Sequence, residues 1–216
     1  ITYPNTTQNV GNLGNTITIH MNSNSSSFRH TVRYAWNNKG GTIASNVQYN
    51  CNWKIPLEFA NSIPNATSGW GTIYVDTYNG SKLIGTKSVT FTATVPSSMI
   101  PSISSINLSD ATGLSNTYGG YIKTKSKAKI SINASGSYSS TISSYSISVN
   151  GTTYNSQTVT TDVLKNAGTN TISVTVRDSR GRTTKSSKSF NVLDYNAPVL
   201  SEFSNNRCNE DGTIND

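Results

Sequence analysis

Residues 176–188 read V-R-D-S-R-G-R-T-T-K-S-S-K, with five basic side chains in thirteen positions and the carboxylate of Asp178 among them. Such a cluster can hold an anion, because guanidinium and ammonium groups supply charge-assisted donors. A second basic stretch, Y-I-K-T-K-S-K-A-K-I-S-I (121–132), places Lys123, Lys125, Lys127 and Lys129 at every second residue. In a single strand all four project from one face, with Ile122, Ala128, Ile130 and Ile132 on the other. That pattern suits a cationic rail for a polyanion. It also suits an edge strand carrying Lys to prevent edge-to-edge pairing. No aromatic residue interleaves the lysines to stack bases, so nucleic acid is not an expected partner. Trp70, in S-G-W-G, is expected in a loop ahead of a strand over 72–78 and is the aromatic best placed to meet a glycan. Trp36 and Trp53 fall on apolar strand faces, where a core needs large side chains.

Catalytic chemistry finds little to work with. The only histidines are His20 and His30, and His30 shares parity with Phe28 and Val32, so it is expected to pack at a sheet edge. Glu210 and Asp211 are the only adjacent carboxylates. A glycosidase would have to draw its two carboxylates from distant strands. There is no C-x-x-C, no H-x-x-x-H and no oxygen-rich D-x-D-x-D loop, so no catalytic, metal or cofactor set is expected. Cys51 and Cys208 are expected as free thiols. The net charge of +7 favours anionic partners such as an acidic cell-wall polymer. No apolar run reaches the ~20 residues of a membrane helix, and no membrane partner is expected.

The elements that must carry these residues are strands. Phe28, His30, Val32, Tyr34 and Trp36 alternate on one face; so do Val47, Tyr49, Cys51 and Trp53, and again Val89, Phe91, Ala93 and Val95. One apolar and one hydroxyl-rich face mark an antiparallel sheet with one side in water. Helical spacing is confined to the short D-V-L-K-N-A-G at 162–168. Asn79-Gly80 and Asn150-Gly151 signal hairpins. Asp178-Ser179-Arg180-Gly181 has Asp first and Gly fourth, as a type I turn prefers, so the opening basic cluster is read primarily as a turn. Arg177 and Arg182 then stand near each other, with Asp178 free to cap or neutralise them.

Pro joints divide the chain into repeating lengths. The expected plan is all-β: two tandem immunoglobulin-like antiparallel sandwiches, 1–96 and 102–195, with a Pro-containing joint at 97–101. A further joint and the first strand of a truncated third module occupy 196–216. The chain opens at Ile1 and stops at Asp216 as an excised fragment would.

Three groups of residues carry a family resemblance. They are W-K-I-P-L-E-F-A-N-S-I-P-N-A-T-S-G-W-G-T-I-Y-V-D-T-Y-N-G-S-K-L-I-G-T-K-S-V-T-F-T-A-T-V-P (53–96), Y-G-G-Y-I-K-T-K-S-K (118–127) with S-Y-S-I-S-V-N-G-T-T-Y (144–154), and D-S-R-G-R-T followed by N-A-P-V-L. Together these stretches resemble a minor structural protein family of siphophages of Gram-positive, streptococcal-type bacteria. The resemblance implies a virion tail or tail-tip component with no enzymatic activity, acting as a spacer and as a weak binder of a host wall glycan or teichoic acid. Its implied partners are other virion tail proteins and the host surface, with no cofactor. A bacterial adhesin stalk of similar modules is the alternative, and a carbohydrate-active enzyme fragment the third reading.

Overall fold

A computed structural model describes residues 7–202, 205 and 207–213. Residues 1–6 of the expected first module, and 203, 204, 206 and 214–216 of the expected third, lie outside them. The chain is all-β and immunoglobulin-like, as its alternation predicts.

Strands β1 (Gln8–Asn12), β2 (Thr16–His20), β3 (Phe28–Trp36), β4 (Lys39–Val47), β5 (Asn50–Lys54), β6 (Ser68–Asn79) and β7 (Lys82–Thr94) form two sheets. One has the order β1-β7-β6-β3-β4 and the other pairs β2 with β5. A short 3-10 helix spans Leu57–Ser62. The strands that follow are β8 (Ser102–Asp110), β9 (Tyr121–Ile122), β10 (Lys127–Ser135), β11 (Ile142–Val149), β12 (Thr152–Tyr154), β13 (Thr158–Val163), β14 (Gly168–Asp178) and β15 (Thr183–Leu193), with helix α1 (Leu114–Tyr118) between β8 and β9. They form sheets of order β13-β10-β8 and β12-β11-β14-β15-β9. Each five-stranded sheet ends in one parallel strand, β1 along β7 and β9 along β15. By compactness the chain divides into residues 1–108 with 130–159 and 171–188, and residues 109–129 with 160–170 and 189–216.

Aromatic rings hold the core of β1–β7. His30, Val32 and Trp36 on β3, Ile73 and Val75 on β6, Phe91 and Ala93 on β7, and Cys51 and Trp53 on β5 are buried. Trp36 stacks on Phe59 at 4.9 Å and on Phe91 at 5.7 Å, while Trp53 meets Phe91 edge-on at 5.5 Å. Such pairs contribute about 0.5–1.5 kcal/mol each beyond the area they bury. The Trp36 indole N–H donates to Ser62 Oγ at 2.9 Å, so the ring brings no unpaired donor into the core. The rings also dictate two glycines. A Cβ at Gly69 would lie 2.7 Å from the Trp36 ring, and one at Gly71 would lie 2.6 Å from the Ala35 carbonyl and 2.7 Å from the Phe91 ring.

Several local expectations change. The run 47–53 is two strands, broken at Gln48–Tyr49; Asn46 takes φ 58° and Tyr49 turns outward, 54 % exposed. D-V-L-K-N-A-G is the end of β13 and an irregular stretch, not a helix. Leu164 within it is buried and its N–H donates to Ser126 O, which holds the backbone out of a helical path. Asn150 and Gly151 both have positive φ, as a type I′ hairpin requires. At the other N-G pair Asn79 pairs with Lys82, so the loop is Gly80–Ser81, one residue later than expected. No strand forms among the described residues from 196 onward, apart from an isolated bridge at Cys208.

Replacing Gly71 by Ala should destabilise the fold by about 1–3 kcal/mol, because the added methyl overpacks against backbone and a fixed ring. Urea denaturation reads this as a lower midpoint at unchanged slope, and an unchanged midpoint would refute the packing account.

Candidate surface-binding site

Trp70 lies within β6 and not in a loop, opposite Thr92 of β7. Its flanking glycines are there because the Trp36 and Phe91 rings fill their Cβ positions from the core side. The indole is therefore directed to the outer face, where it is 65 % exposed. Further along that face Arg33 of β3 donates to Asp76 Oδ2 at 2.5 Å and to Oδ1 at 3.0 Å, and Thr86 Oγ1 donates to Oδ1 at 2.7 Å. The Arg33 guanidinium also sits 5.3 Å over the Tyr74 ring. Hydrogen bonding to Arg33 holds the buried Asp76 carboxyl below its ordinary range, ahead of the opposing effect of burial. The outer face of β6 thus offers aromatic and hydroxyl groups, with its one carboxylate already neutralised. It can stack on a sugar ring.

The lysine rail does not form. Between β9 and β10 the chain turns at Thr124, whose φ is 64°, so Lys123 and Lys125 are turn residues. Lys123 pairs with Asp194 at 2.9 Å and the Lys125 ammonium sits 5.4 Å over the Tyr195 ring. Lys127 and Lys129 do share an exposed face of β10. However, β10 is the middle strand of its sheet, so the edge-protection account does not apply either. The turn is organised by Asp110, which sequence inspection passed over. Its Oδ1 accepts from the N–H and Oγ1 of Thr112, and its Oδ2 from the Ser115 N–H and Ser126 Oγ. Burial pushes this carboxyl up, but those hydrogen bonds outweigh it and leave it below its usual value.

The D-S-R-G-R hairpin is a turn, and more. Gly181 N–H donates to Asp178 O, and Asp178 Oδ1 accepts the N–H groups of Arg180 and Arg182 at 3.0 and 2.8 Å. Asp178 is spent on these backbone amides and on the Ser140 hydroxyl, which donates to its Oδ2 at 3.2 Å, and this leaves both guanidiniums to reach elsewhere. Arg180 is buried and donates to the carbonyls of Ala60, Ser137 and Tyr138 at 2.7–2.8 Å. Arg182 donates to the carbonyls of Val95, Pro96 and Met99. Ser179 Oγ donates to Pro64 O at 2.6 Å. Burial draws the Arg180 pKa down, against the pull of Asp178, yet an arginine keeps its charge. The only hint of this in the sequence is the pair of arginines flanking a glycine.

Among the described residues no three of His, Cys, Asp and Glu gather as metal ligands, and no helix is long and apolar enough to cross a membrane. Cys51 and Cys208 are free thiols.

The model of a family described as "Siphovirus protein of unknown function (DUF859)" matches residues 4–214. The chain belongs to this siphovirus family. No curated protein matches it in sequence. Among solved structures, the fibronectin(III)-like modules of Clostridium thermocellum CbhA are similar over 92 % of this chain and 95 % of theirs, at 13 % identity and a TM-score of 0.38. The PKD1 domain of Vibrio anguillarum Epp is similar over 44 % of this chain and 96 % of its own, at 16 % identity and a TM-score of 0.34.

His30 also departs from expectation. It is fully buried on β3, which lies inside its sheet rather than at the edge. Its Nδ1 is 3.0 Å from Thr77 Oγ1, and its Nε2 has no hydrogen-bond partner among the described residues. Burial lowers its pKa from 6.5, so the folded state favours the neutral ring. Below pH 6.5 the unfolded chain binds a proton that folded His30 resists, and stability falls with pH until the folded pKa is passed. Asp76 and Asp110, held below 3.8, withdraw their stabilisation only at lower pH. The melting temperature should therefore decline in two separate limbs as pH drops. His30→Gln should flatten the upper limb alone, and an unchanged upper limb in that variant would assign it to another group.

Proposed function

We propose that this siphovirus chain is a non-enzymatic structural spacer of the phage tail or tail tip, in contact with other virion tail proteins. Its modules are 1–96 and 102–195, joined at 97–101, with 196–216 a second joint and the start of a third module. The observation that carries this reading is the pair of arginines on the 178–182 hairpin. Arg182 occupies the carbonyls of Val95, Pro96 and Met99, and Thr184 Oγ1 donates to Pro101 O, so the joint residues are fixed and not left as a free linker. A spacer needs joints that keep their geometry. The buried carboxylates Asp76 and Asp178 and the partly buried Asp110 are each engaged in structural hydrogen bonds, which supports the non-enzymatic reading. Membership of a siphovirus family favours the virion over an adhesin stalk.

The exposure of Trp70 favours a second role at the host surface, outside the cell. With Lys127 and Lys129 it supplies weak contacts to a glycan or anionic wall polymer of a Gram-positive host, contacts that gain strength through repetition. Trp70→Ala should change stability by no more than about 0.5 kcal/mol while weakening retention on host cells.

Gold-labelled antibody against the chain should decorate the tails of intact particles; label confined to the host envelope would overturn the virion assignment. Hydrogen exchange tests the joint. Ala60, Ser137 and Pro96 keep a local N–H on their carbonyls, so removing both arginines strips the donor from the carbonyls of Val95, Met99 and Tyr138, at about 1–3 kcal/mol for a buried group left unpaired. The Arg180→Ala/Arg182→Ala variant should therefore exchange much faster at Met99 and Ile100, whose amides are bonded within the joint. Unchanged protection there would mean that the joint is held by something else.

A further inference from the structure

The strands of the larger first sheet outrun those of its partner. β6 and β7 are 12 and 13 residues long, against 5 each for β2 and β5. Where the cover ends, positions with inward parity lose their apolar neighbours. Lys87 lies opposite Val75 and in step with the partly buried Val89 and the buried Phe91, yet it is a lysine and exposed. Thr77 and His30 face each other in the same region, with Phe28 two residues further along β3. These side chains, with Asn22 and Asn24 of the preceding loop and Ile84 of the β6–β7 hairpin, line a cavity of about 190 Å³.

Three properties of this cavity go together. It is smaller than the ~300 Å³ at which drug-sized ligand sites begin, and suits one sugar-sized molecule. Its lining combines an aromatic ring with amide and hydroxyl groups, the mixture that suits the apolar face and the hydroxyl rim of a saccharide. Its only cation is Lys87 and its lining includes no carboxylate, so its charge selects an anion. His30 adds a buried ring nitrogen without a partner at the cavity wall.

We propose that this cavity binds a single anionic sugar residue, one bearing a carboxylate or a phosphate. The ring packs on Phe28 and Ile84, the hydroxyls meet Asn22, Asn24 and Thr77, and the anion meets the Lys87 ammonium. This goes beyond the spacer reading and does not depend on it.

The test is an NMR titration of the 216-residue chain with glucuronate, glucose 6-phosphate and glucose. An anionic sugar should give saturable shifts at Phe28 and His30. Glucose should bind at least roughly tenfold more weakly, the size of one lost hydrogen bond to a charged group. Lys87→Gln, at an exposed position and so compatible with folding, should bring the anions down to the level of glucose. A response to only one anion supports the site and identifies its charge as carboxylate or phosphate. The proposal is overturned by no saturable shift at Phe28 and His30 with any of the three sugars. It is equally overturned by anion binding that survives Lys87→Gln, or by shifts centred on Trp70 instead.

Discussion

A backbone carbonyl removed from water must find a donor, and irregular segments have no neighbouring strand to supply one. In this protein the 3-10 helix at Ala60, the turn at 137–138 and the stretch 95–99 all face that constraint; local N–H groups serve Ala60, Ser137 and Pro96 in part, and one hairpin reaches all three segments. Arg180 and Arg182 distribute six hydrogen bonds over carbonyls 42 to 120 residues away in sequence. Arginine suits the task because its planar fork carries five donors and holds its charge when partly desolvated. Asp178 makes the arrangement workable. By capping the amides of its own turn it fixes the direction in which both arginines leave the hairpin, without pairing with either guanidinium.

The faces of the strands were legible in the sequence because alternation between apolar and polar residues carries burial information. It pointed correctly to the inward sides of β3 and β7. Where the alternation is between two polar classes it carries none. The spacing Lys123, Lys125, Lys127, Lys129 continues through a turn because neither Lys nor Thr reports whether its backbone is extended. The 47–53 run misled for a related reason: parity survives a break of even length, so Val47 and Cys51 stay in phase although Tyr49 between them faces water.

Trp70 shows the opposite failure. Glycine on both sides of a tryptophan reads as loop when only local preference is considered. Its cause is tertiary: two core rings occupy the places where side chains would stand. The targets of Arg180 and Arg182 were invisible on similar grounds. Turn chemistry is local and was readable; the carbonyls that the turn serves lie in other elements. His30 looked like a packing residue by parity and is buried accordingly, but parity could not show that its Nε2 would lack a partner among the described residues.

The parallel end of the first sheet has a mechanical consequence. β1 runs parallel to β7, with Gln8 beside Phe91, Asn9 beside Thr92 and the Leu13 N–H donating to Thr94 O. Tension that enters at the start of β1 and leaves at the end of β7 pulls the two strands past each other. The hydrogen bonds between them then share the force in shear, where an antiparallel hairpin pulled from its two ends would give way one pair at a time. Val95, Pro96 and Met99 follow directly after β7, so the same tension would pass into the 178–182 hairpin through three carbonyls at once.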